Sequence, residues 1–293
     1  MNILTFDIEE WFHILNNPST KKESSWSNFE YRLRLNMDKI LQLLDDSNNL
    51  ATFFCLGWVA RKYPNIIKEI DSLGHEIGSH SNEHQLIYQH DRNFFKKDLE
   101  ISINSLENLT GKKIKAYRAP GFSLIGRTLW AFEELAYQGI EYDCSVFLGN
   151  HSHGGRIKEF GSNPSIVNYA GTIIKEFPVN SFKFGPKEIA FSGGGYFRFL
   201  PYKIIKYLMQ REKYIMTYFH PRDFDYDQPI IEDLNTFRRF KSYYGLKNSY
   251  IKAEKYLDDF DFVSLSEANK IIDWKKVKQY EVKNGTINYL QAH

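Results

Sequence analysis

His80 and His84 stand four residues apart in Gly78-Ser79-His80-Ser81-Asn82-Glu83-His84, a spacing at which two imidazoles can face one metal ion. Asp7 and Glu9 end an apolar N-terminal run, and on a strand alternate residues point to the same side. Two imidazoles and a carboxylate fill three positions of a divalent ion and leave another open to water, the arrangement of a hydrolytic site. Zinc suits these ligands, with cobalt, nickel and manganese as alternatives. The expected roles are Glu9, His80 and His84 as ligands and Asp7 as the base that takes the water's proton. Glu10 competes with Glu9, because strand geometry loosens at a strand's end.

Three further residues fit around that centre. Arg118 would keep Asp7 ionised through a charge-assisted hydrogen bond. His220 follows the apolar run 214–219, from which it can reach the other side of a substrate and protonate a leaving amine. Asp143 is expected to orient His220 and raise its pKa.

The elements that must position these groups alternate. Strand patterns at 2–8, 51–56, 75–79, 115–118 and 140–146 are separated by helical periodicity at 31–44, 57–73 (interrupted at Pro64), 91–109 and 127–137. Such alternation predicts parallel strands covered by helices, in a closed or nearly closed barrel with its chemistry at the strand C-terminal ends. Residues 147–200 break the rhythm with many glycines and read as a loop-rich layer over the site, with short strand candidates at 172–179 and 188–192 and a tight turn at Gly193-Gly194-Gly195. Residues 1–273 then form one catalytic domain, and 274–293 a basic tail.

Hydrophobic residues at 42% and charged residues at 25% belong to a folded globular protein, and a net charge of +2 argues against a nucleic-acid partner. Cys55 and Cys144 cannot build a disulfide framework. With no basic, apolar leader and no run long enough to span a bilayer, the expected location is cytoplasmic. Arg238, Arg239, Lys241, Lys247, Lys252 and Lys255 fall in one helical-looking stretch, a solvated face compatible with peripheral contact at the inner membrane surface. Aromatic residues reach 16%, and exposed rings could stack on sugars. Oligomeric state is not legible.

The ordered series Thr5-Phe6-Asp7, His80-x-x-x-His84, Arg118-Ala119-Pro120-Gly121, Asp143-Cys144-Ser145 and His220-Pro221 resembles the five motifs of the NodB-type polysaccharide deacetylases, carbohydrate esterase family 4. Gly193 to Arg198, Tyr218 to Pro221 and Tyr243-Tyr244-Gly245-Leu246 look like the subgroup associated with exopolysaccharide and surface-glycan gene clusters. The resemblance implies a distorted (β/α) barrel and hydrolysis of an N-acetyl group on an amino sugar. It also implies Gly121 N–H as an oxyanion donor and substrate-facing roles for His151 and Arg198. Where many members of that family have adjacent aspartates, this chain reads Asp7-Ile8-Glu9-Glu10. Hydrolysis of a small non-sugar amide and glycan binding without turnover are the competing functions.

Overall fold

Short apolar runs flanked by helices become parallel strands at the centre of the molecule, where both faces can be covered. The computed structural model describes residues 1–149, 153–154, 157, 159–185, 187–283 and 285–290. Thr5–Ile8, Thr52–Cys55, Glu76–Ser79, Ala116–Tyr117 and Tyr142–Asp143 pair in that order, all parallel, and Thr172–Glu176 adds beyond Tyr142–Asp143. The first two are buried along their whole length, with Phe6 stacked on Phe53 at 5.2 Å between ring centroids. Leu33–Asp46, Gly57–Lys62, Pro64–Ser72, Arg92–Thr110 and Ala131–Tyr137 are the helices of this half. Pro64 opens the third of them, where a missing N–H costs no helical bond. Asp91 caps the fourth by accepting from Phe94 N at 2.8 Å.

On the other side of Thr5–Ile8, the chain from Ile215 to Phe219 runs parallel: Phe219 N donates to Thr5 O and Asp7 N donates to Phe219 O. Among the described residues no backbone ladder joins the two edges of this curved sheet, so the expected barrel is open at one seam. Side chains cross the seam instead. Met216 N donates to Asn180 Oδ1 at 3.2 Å, and Tyr214 Oη to Pro178 O at 2.9 Å.

Three expectations change. Ser165–Tyr169, inside the expected loop layer, is a strand of the main sheet, paired antiparallel with Thr172–Glu176, which forms where a short strand is expected at 172–179. Lys278–Lys283 pairs with Ser165–Tyr169 and with Thr286–Leu290, so residues read as a basic tail extend the sheet. Tyr280 and Val282 are buried in alternation with solvent-facing neighbours, a half-buried strand pattern that the lysines masked. The basic stretch is two helices, Thr236–Tyr243 and Ser249–Asp259. No helix among the described residues is long and apolar enough to cross a membrane.

Candidate active site

The C-terminal ends of the parallel strands open onto one cavity of about 470 Å³. Asp7 arrives on Thr5–Ile8 and Glu9 one residue beyond it. Asp7 Oδ1 accepts from Arg118 Nη1 at 2.7 Å. Arg118 is fully buried, also donates to Thr5 Oγ1 at 2.7 Å, and lies 4.3 Å over the Phe54 ring. Such a guanidinium has little freedom to leave the carboxylate.

Glu76–Ser79 delivers His80 to the same place. Its Nδ1 pairs with Arg118 O at 2.8 Å, which leaves Nε2 available to ligate, and burial lowers its pKa to about 4, favouring the neutral imidazole a metal would need. A strained turn carries the second imidazole. Ser81 and His84 adopt φ of 71° and 57°, rare for residues with a side chain. Ser81 Oγ holds the turn by accepting from His84 N at 3.0 Å, and Asp98 by accepting from Asn82 N at 2.9 Å.

Glu9, His80 and His84 are buried, and one ligand atom from each lies within 4.8 Å of the others. Glu9 Oε2 is 2.7 Å from His84 Nε2. Burial alone would raise the Glu9 pKa, but His84, His220 and His13 pull it well below the usual carboxylate range. This donor set fits a divalent ion with a neutral imidazole and an anionic carboxylate. Glu10 turns the other way, as strand alternation requires. It accepts from Arg32 N and Leu33 N at 3.1 Å, at the start of a helix, and from Tyr63 Oη at 2.6 Å.

His220 begins the turn Pro221–Phe224 and faces the centre from the opposite wall. Its Nε2 lies 3.8 Å from Asp7 Oδ2 and 3.7 Å from Glu9 Oε1. Its Nδ1 meets Asp223 Oδ2 at 3.2 Å. Burial would lower the His220 pKa, but Asp223, Glu9 and Asp7 overcome it and raise it to about 9. Arg198 Nε lies 3.0 Å from Asp223 Oδ1, and Arg198 donates to the carbonyls of Lys241, Ser242 and Tyr244.

Asp143 does not orient His220. It accepts from Ser145 Oγ at 2.6 Å and from Ser145 N at 3.2 Å, and it faces Glu176. The reason is local: Asp223 sits three residues after His220 in the same tight turn, within reach without help from another strand. An acid three residues after the histidine of His220-Pro221 was the available signal for it. Glu176 left no signal, since its contact with Asp143 depends on strand order.

Gly121 lines the cavity at φ 58°, a conformation glycine adopts at little cost, inside the turn Pro120–Phe122. Ala119 N anchors that turn on Ser145 Oγ at 2.8 Å. Arg198 also lines the cavity, with its guanidinium engaged as described. His151 lies outside the described residues, and His153 lines the cavity nearby. At Gly193 a Cβ would collide with the Tyr218 carbonyl, so the triple glycine serves close approach of two backbone segments.

Residues 17–140 match the sequence profile of the family described as polysaccharide deacetylase, and residues 144–270 match that of a domain of unknown function, DUF3473. Over residues 17–140 the chain thus resembles the polysaccharide deacetylases. A peptidoglycan-N-acetylglucosamine deacetylase of Bacillus cereus is 36% identical over 33% of this chain and 35% of its own length. A chitooligosaccharide deacetylase of Azorhizobium caulinodans is 28% identical over 28% of this chain and 39% of its own. The chain thus matches only 35% and 39% of the lengths of these two relatives. The solved structure of a candidate polysaccharide deacetylase from Mycobacterium smegmatis superposes with a TM-score of 0.63 at 18% identity, covering 96% of this chain and 93% of that one, and shares the fold. The family members' mixed architecture of parallel strands and helices is the one described above.

Proposed function

We propose that this protein is a metal-dependent hydrolase that removes the acetyl group from an N-acetylated amino sugar of a surface glycan or its precursor. The observation that carries the reading is the convergence, in one cavity, of a Glu9, His80 and His84 donor set with Asp7–Arg118 on one wall and His220–Asp223 on the other. The names of the relatives support an N-acetylated sugar, and the segment 144–270 is typical of deacetylases associated with exopolysaccharides.

Glu9, His80 and His84 would hold the ion, for which zinc is proposed. When bound, a divalent ion acidifies water and polarises an acyl oxygen. Asp7, held by Arg118, takes the proton from the attacking water. Gly121 N–H donates to the acyl oxygen as it gains charge. His220 gives its proton to the amine nitrogen as the C–N bond breaks, leaving acetate and a free amino sugar, and Asp223 steadies the imidazole through Nδ1. Metal-loaded protein incubated with N-acetylated sugar nucleotides and oligosaccharides should release acetate from at least one class. Acetate from small aryl amides alone would overturn the sugar assignment.

A further inference from the structure

Thr236–Tyr243 is an anomaly of packing: it is a helix without one buried residue. Most helices in folded proteins are stabilised by an apolar face laid on the core. Here the large apolar side chains face outward, with Phe237 70% and Phe240 49% exposed. Tyr244 and Phe199 join them, the Phe240–Tyr244 and Phe199–Tyr244 ring centroids lying 4.7 and 5.7 Å apart. All four rings line the cavity that contains Glu9 and His84.

The wall is held in place from behind. Buried Arg198 donates to the carbonyls of Lys241, Ser242 and Tyr244 while its Nε faces Asp223, the partner of His220. Lys252 Nζ in turn donates to the carbonyls of Phe197, Arg198 and Leu200 at 2.8 to 3.0 Å. One guanidinium therefore fixes the aromatic wall and the catalytic imidazole in the same frame. A preset wall loses little entropy when it meets a ligand.

We infer that Phe199, Phe237, Phe240 and Tyr244 form a subsite for the pyranose ring next to the one that is deacetylated. This rests on the sugar reading of the catalytic site and assigns a substrate-binding role to the segment of unknown function. The apolar C–H face of a pyranose complements the electron-rich face of an aromatic ring. A cavity of about 470 Å³ is in the range of sites for ligands larger than a single sugar. The rings share a cavity with the donor set, which favours another part of the same substrate over a bilayer as their occupant.

Calorimetric titration of the zinc-loaded Asp7→Asn protein with β-1,4-linked N-acetylglucosamine as monomer, dimer and tetramer tests the subsite. Phe237→Ala with Phe240→Ala is made in the same background. The tetramer should bind at least about tenfold tighter than the monomer, and removal of the rings should bring that ratio close to one. Absence of chain-length dependence, or a ratio that survives ring removal, overturns the inference. So does ring-dependent binding to vesicles containing anionic phospholipid with the sugar ratio intact, which would assign the rings to a membrane. Binding needs no turnover, so a wild-type protein that releases no acetate sinks the deacetylase reading, while ring-independent sugar binding sinks the subsite.

Discussion

Asp7, Glu9 and Asp223 line the cavity, whereas Asp143 and Glu176 lie behind it with no exposed surface. Depth is similar in the two groups; partners differ. Asp7 has Arg118, Glu9 has His84, and Asp223 has His220 and Arg198. Burial works against ionisation of Glu9 and Asp223, but the histidines and the guanidinium around them pull both below the usual carboxylate range. Asp143 and Glu176 meet each other, with Ser145 and Val146 N as hydrogen-bond partners, and burial pushes both upward. A buried carboxyl group is thus ionised by the donors it faces. One group has the partners that the proposed proton transfer and metal binding require, and the other supports the turns that carry Arg118 and Gly121.

The widest separation between these regions should appear on His84→Ala. Metal content should fall from about one ion per chain to near zero, with turnover, because a site of three ligands seldom holds an ion with two. Elemental analysis after dialysis reads it, and full retention of metal would remove His84 from the site. Asp7→Asn comes next: metal should stay while kcat drops about 10²–10⁴-fold, the usual cost of a lost proton-transfer group. Near wild-type kcat on the true substrate would show that the proton goes elsewhere.

Asp223→Asn should act through pH. A histidine with a raised pKa is fully protonated below its ordinary value of 6.5 and loses its proton as pH rises through about 9. Acid-dependent activity should therefore persist to alkaline pH in the wild type. Without the Asp223 charge the alkaline limb should move toward 6.5, lowering kcat/KM by about tenfold or more at pH 8. An unmoved limb in the pH profile would show that Asp223 only shapes the turn.

The smallest change is expected from Glu176→Gln, which keeps the shape of a neutral carboxyl group. Because the folded-state pKa of Glu176 is raised, its contribution is complete below the ordinary value of 4.5 and is lost as pH rises through the folded pKa. The unfolded chain ionises first, so the wild type should lose stability relative to the variant as pH rises above 4.5. Thermal melts across that range compare the slopes. Parallel slopes would mean that Glu176 lacks the raised pKa that sets it apart from Glu9 and Asp223.

Much of the cavity group was legible as sequence because its members follow apolar strand runs, so periodicity alone carries Asp7, His80, Arg118 and His220 to strand ends on one side of a sheet. Glu10 shows the limit. Alternation turns it away from Glu9, but only the approach of Leu33–Asp46 supplies the backbone N–H groups that it caps.

The order of chemistry-bearing residues, the parallel strands that present them and the alternation that pairs Asp7 with Glu9 were determined by local sequence, since side-chain direction repeats every two residues along a strand. Tertiary structure alone decided which acid faces His220, which carboxyls have their pKa pushed up, that the sheet stays open at the seam between residues 177–180 and 214–216, and that Thr236–Tyr243 lays its rings on the cavity. Those outcomes depend on contacts between segments far apart in the chain. Burial and the nearest charge, which set a titrating group's state, exist only after the chain has folded.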